Sequence, residues 1–81
     1  MEHKEARKLL SKTVPGTQCH DIMRWLVFNG SITPMEALNE LGVMRLAARV
    51  SDLRELGIDI ETLTVKKNGK HYAKYVLGRS V

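Results

Sequence analysis

Two groups of residues in this 81-residue chain have the types and spacing to meet a nucleic acid. In the first group, Met44, Ala48 and Ser51 fall on the outward side of one predicted helix, with Arg45 and Arg49 on its flank. An arginine so placed can donate two hydrogen bonds to the O6 and N7 edge of guanine. A small residue such as Ala48 lets a helix approach closely and can touch a thymine methyl. In the second group, Lys66, Lys67, Lys70 and His71 surround Asn68-Gly69. Lysines on a turn suit phosphate, because each contact releases condensed counterions and needs no exact geometry.

The elements that must position these residues are legible from caps and periodicity. Thr17 is a suitable N-cap, and Ile22, Trp25, Leu26 and Phe28 form an apolar face on a helix running to about Phe28. Asn29-Gly30 stops it. Thr33-Pro34-Met35-Glu36 opens a second helix with a capping box, and Pro34 sits where a missing N–H costs nothing. Met35, Ala37, Leu38 and Leu41 supply its packing, and Ile32 can staple onto its second turn. After Gly42-Val43, a third helix spans about Met44 to Leu56. Leu46, Val50 and Leu53 face inward, with Val43 and Ala47 beside them, and Gly57 ends it.

Two helices joined by a short turn containing glycine form the helix-turn-helix pattern. Ile58 to Lys67 is rich in Ile, Val and Thr, as strands are. Asn68-Gly69 is a strong two-residue hairpin turn, and Lys70 to Leu77 returns. That turn sets Lys67 opposite Lys70, Val65 opposite Tyr72 and Ile60 opposite Leu77. Ile60, Thr62, Ala73, Tyr75 and Leu77 then face the helices. Val65, Tyr72, Lys74 and Val76 face outward. The expected fold is α+β: a three-helix helix-turn-helix core carrying a two-stranded β-hairpin wing. Residues 1–16 are expected as an arm, either flexible or a short extra helix, with 17–78 as the domain and 79–81 as a tail.

The segments 30–37 and 45–54, then Gly57-Ile58, then Tyr75-Val76-Leu77 resemble a family of small winged helix-turn-helix proteins, many of them encoded by bacteriophages and prophages. The resemblance implies double-stranded DNA as partner and a role in transcription or replication control of a phage or mobile element. It covers nearly all of the chain except the arm. It supplies no operator sequence.

Charge and composition bear on the same reading. The net charge is +4. Lys66, Lys67, Lys70, Lys74 and Arg79 have no acid among them, and Lys4, Arg7, Lys8 and Lys12 outnumber Glu2 and Glu5 at the other end. Clustered cations suit a polyanion. Competing roles exist for several of them. Arg49 can pair with Asp52 or Glu55 on its own helix or with an acid of the second helix, Arg54 can be structural, and lysines also protect an exposed sheet edge.

Catalysis has little to draw on. His3, His20 and His71 are scattered, and Cys19 has no second cysteine at metal-ligand spacing. Neither a phosphate-binding glycine loop nor a nucleophile elbow is present. No enzyme, cofactor or metal is expected. A lone cysteine, no apolar run near the ~18 residues of a membrane span and no signal-like start point to a bacterial cytoplasm.

Two rival functions stand beside DNA regulation. One is a winged helix that docks on a host protein and inhibits it, favoured by the modest charge and by Asp52 and Glu55 on the third helix. The other is a DNA-packaging or replication accessory that acts as an oligomer. A single module offers a small interface, so a repressor of this size is expected to be a homodimer on a repeated or palindromic site.

Overall fold

The computed structural model describes residues 3–78. In chain order the elements are α1 (His3–Ser11), α2 (Gln18–Asn29), β1 (Ser31–Ile32), α3 (Pro34–Leu41), α4 (Leu46–Glu55), β2 (Ile60–Lys67) and β3 (Lys70–Leu77). The strands form one antiparallel sheet in the order β1-β3-β2. The architecture is α+β, a helix-turn-helix with a hairpin wing. It has one helix and one strand more than the three-helix, two-strand expectation.

The expected caps are present. Thr17 Oγ1 accepts from the His20 N–H at 3.2 Å and starts α2. At α3 the Thr33 N–H donates to Glu36 Oε1 at 3.0 Å, and the Glu36 N–H donates to Thr33 Oγ1 at 3.2 Å, so the box satisfies two otherwise orphaned donors. Gly42, at φ 68°, then turns the chain out of the helix. Its N–H donates to Leu38 O at 3.1 Å and the Val43 N–H to Ala37 O at 2.9 Å. This closure drives Val43 into the core and sets the angle between α3 and α4.

The core gathers Ile22, Met23 and Leu26 of α2, Ile32, Ala37, Val43, then Leu46, Val50 and Leu53 of α4, and Ile58, Ile60 and Tyr75. The inner face expected for α4 is therefore the one buried. On α2 the expected face is corrected: Met23 is buried and Phe28 is 74% exposed. Phe28 lies roughly 200° round the helix from Leu26 at about 100° per residue, so burying Leu26 turns it outward. On α3, Ala37 is buried, but Met35 and Leu38 are exposed, because so short a helix presents only a narrow stripe to the core.

The arm takes the helical alternative. Leu9 and Leu10 of α1 pack against the core. Buried Thr13 fastens the connection to α2: its Oγ1 donates to Leu10 O at 3.0 Å and lies 2.9 Å from His20 Nδ1. The tail, residues 79–81, lies outside the described residues.

β1 was not legible as a strand. It occupies the two residues between the stop of α2 and the cap of α3, pairing Ser31 with Val76 and Ile32 with Tyr75. Ile32 is fully buried there. The hairpin register matches expectation: Ile60 opposite Leu77, Val65 opposite Tyr72 and Lys67 opposite Lys70. Asn68 at φ 52° and Gly69 at φ 76° are both left-handed, as a type I′ turn requires.

Arg54 takes a structural place. Its Nε and Nη2 donate to Ile60 O at 3.0 and 2.7 Å, and Nη2 also reaches Thr62 Oγ1 at 2.8 Å. The end of α4 is thereby tied to the first residues of β2. Replacing Arg54 with Ala is expected to lower unfolding stability by about 1–2 kcal/mol, the scale of hydrogen bonds from a partly exposed charged donor. Urea unfolding followed by circular dichroism measures this, and an unchanged midpoint would show the clamp to be idle.

Candidate nucleic-acid interface

The structure places the five helix candidates unequally. Met44 and Arg45 are exposed, but they precede α4 rather than lie in it, because the helix begins at Leu46 with Arg45 as its N-cap residue. The expected start at Met44 is thus two residues early. Arg45 has φ −119° and ψ 62°, and no side chain caps the first turn. Ser51 is exposed as expected. Ala48 is half-buried and Ala47 exposed, the reverse of their expected ranking.

Arg49 is engaged already. Its Nε lies 3.1 Å from Asp52 Oδ2, with its side chain about a third exposed and that of Asp52 about half exposed. The Nε–H does not align with an acceptor, so this is a charge contact rather than a directed hydrogen bond. Arg45 has no carboxylate within ion-pair distance among the described residues. It is the freer cation of the two.

The beginning of α4 differs electrostatically from those of the preceding two helices. α2 and α3 have Thr caps and an acid in the first turn (Asp21 and Glu36). α4 has neither. Its first-turn N–H groups keep their partial positive charge, and Arg45 adds a full one. The acids of α4, Asp52 and Glu55, sit toward its other end. The sequence signal for this asymmetry was the lack of Ser, Thr, Asp or Asn just before Leu46.

At the wing, Lys66, Lys67, Lys70 and His71 are all exposed, and all four flank the turn as expected. Lys66 pairs across the ladder with His71, and Lys67 with Lys70. None of the three lysines has an acid partner among the described residues. Directly opposed like charges destabilise a hairpin by up to about 1 kcal/mol. Folding alone gives no reason for two lysines at that pair.

A nucleophilic site does not assemble around Cys19. Its Sγ lies 4.0 Å from Arg49 O, half-buried between α2 and α4. Burial pushes its thiol above the ordinary range, Asp52 adds to the rise and Arg49 opposes it. The thiolate that would attack or bind metal is therefore disfavoured. Among the described residues no group of three or more His, Cys, Asp and Glu gathers at metal-binding distance. No helix in the described residues is long and apolar enough to cross a membrane.

A helix-turn-helix followed by a β-hairpin wing is the arrangement of a winged helix. The model of the winged helix-turn-helix domain family matches residues 17–80. The chain belongs to that family. No curated protein and no solved structure matches it. A winged helix-turn-helix domain suggests DNA as its partner, and the family is typically non-catalytic.

The Asp52 carboxylate holds Arg49 and would repel a phosphate brought to this face. Asp52→Asn is expected to tighten binding to duplex DNA by about 2- to 5-fold, the scale of one exposed charge contact of about 0.5–1 kcal/mol. A titration of labelled duplex with both proteins checks it. Equal or weaker binding by the variant would place Asp52 away from the DNA.

Proposed function

We propose that this protein is a double-stranded DNA-binding regulator of transcription or replication in a phage or mobile element. Met44 and Arg45, just before α4, and Ala48, Arg49 and Ser51 on it read the major groove. The wing tip (Lys66, Lys67, Lys70 and His71) holds phosphates or the adjacent minor groove. One observation carries this reading: the unpaired cross-strand couple Lys67–Lys70 at the tip of a hairpin, in a family whose fold suggests DNA binding. A phosphate between two such lysines relieves a repulsion that the free protein must carry. The open start of α4 supports it, because partial positive charge there favours the DNA backbone as the first turn enters the groove. The phage setting comes from the resemblance in segments 30–37 and 45–54.

The protein acts in the bacterial cytoplasm, and as a homodimer where a palindromic site must be recognised, since one module buries too little to select a site alone. A second reading, a winged helix that docks on a host protein and blocks it, is favoured by the exposure of Phe28 beside a groove of about 940 Å³ bordered by Leu9, Ile58 and Leu77.

Fluorescence anisotropy of a labelled random duplex separates the two. If Arg45, Lys66, Lys67 and Lys70 each neutralise one phosphate, log affinity falls with log salt at a slope of about −3.6, or about 150-fold between roughly 50 and 200 mM. Flat salt dependence or no binding at low salt would sink the DNA reading and leave the host-protein one. Lys67→Glu adds a distinctive check. It turns a repulsive pair into an attractive one, so it is expected to raise the melting temperature slightly while weakening duplex binding by about an order of magnitude. A variant both less stable and equally tight would contradict the role given to the tip.

A further inference from the structure

The outward face of the wing sheet carries more than lysine. By register, Val65 stands opposite Tyr72, Leu63 opposite Lys74 and Lys67 opposite Lys70, all on the side away from Ile60 and Tyr75. Leu63 is 47% exposed and Tyr72 39% exposed. Leu63 is the diagonal neighbour of Tyr72, within reach of an aromatic ring. The result is an aromatic ring among aliphatic side chains, bordered by Lys67, Lys70 and Lys74. Glu61 is the acid of this face, and it lies at the end far from the turn, opposite Val76. None of the three lysines is paired with an acid among the described residues.

We propose that this face binds an unpaired strand of nucleic acid, with a base stacked on Tyr72 against Leu63 and Val65 and its phosphates held by Lys67, Lys70 and Lys74. The charge favours an anionic partner over a basic one, and the exposed ring favours a partner with an apolar face as well. A duplex hides the faces of its bases and offers this surface only phosphate. An unpaired strand offers both phosphate and a flat apolar face, which is the combination that cationic grooves with aromatic platforms accept. The inference deepens the proposed function and rests on its reading of the hairpin as a nucleic-acid contact. It adds that the protein engages DNA where the strands have parted.

The test uses the full chain and two probes: a labelled oligothymidylate of about 12 nucleotides, a length within the usual site range, and the labelled duplex. Tyr72→Val keeps a strand-forming residue and removes the ring. The wild type is expected to bind the oligothymidylate. The variant is expected to bind it about 5- to 100-fold more weakly, the loss that accompanies one stacking aromatic, with duplex affinity unchanged. A 2-aminopurine placed mid-strand should be quenched by the wild-type protein, and this readout stands even where the variant fails to fold. No binding of the oligothymidylate at low salt, equal binding by both proteins, or no quenching overturns the proposal. A wild-type protein that binds the duplex but not the oligothymidylate overturns this inference alone. Failure of the duplex arm overturns the proposed function.

Discussion

A two-stranded hairpin is marginally stable by itself in water, so a wing can hold a fixed direction only if the domain grips its base. In this protein the grip is β1. Ile32 is fully buried while its backbone pairs with Tyr75, so one residue belongs to the helical core and to the sheet at once. The Trp25 indole N–H donates to Ser31 O at 3.0 Å and locks the other β1 residue to α2. On the opposite strand, Arg54 holds Ile60 and Thr62 to the end of α4. The position of the wing relative to the helices follows from these attachments. With them in place, the exposed part of β2 and β3 is free to carry side chains chosen for something other than packing.

The parts of the fold that were legible in the sequence are those decided within a few residues. Thr17, the Thr33–Glu36 box, Gly42 and Asn68-Gly69 act through hydrogen bonds or φ preferences that span one turn, and each does in the structure what its type predicts. The parts that were not legible depend on what lies across the molecule. Ser31-Ile32 is too short for any period and becomes a strand only because the edge of β3 not taken by β2 lies beside it. Phe28 looked like core because it follows Trp25 and Leu26. Which apolar residue of α2 faces inward depends on how the helix rolls against α4. The ranking of Ala47 and Ala48 failed for a related reason: half-burial on a helix flank is set by the neighbour's side chains. Of the interface, the wing lysines were legible because the turn fixes their register. The pairing of Arg49 with Asp52 was legible only as one of three choices.

Local rules are broken at a few places, and these coincide with the surfaces given a function here. Natural sequences tend to be consistent across levels except where function intervenes. Unlike α2 and α3, α4 begins without a side-chain cap. Like charges oppose each other at the tip of the wing. Large apolar side chains stand exposed at Phe28 and on the outer sheet face at Leu63 and Tyr72. An uncapped start costs about 1 kcal/mol and an opposed lysine pair up to about the same. In a domain of this size those are considerable fractions of a stability of a few kcal/mol.

The acids of α4 then take on a directional meaning. Asp52 and Glu55 lie in the second half of the helix, while Arg45 and the open N–H groups lie at its beginning. A helix laid flat along a groove would bring both ends to the phosphates, and the acidic end would oppose binding. A helix that enters by its first turn brings the positive end closest, and the carboxylates lie farther from the phosphates, where salt weakens their repulsion without abolishing it. Under the DNA reading proposed above, the charge distribution along α4 favours an end-on approach. In that approach one short helix would read few bases, and the wing would supply much of the affinity.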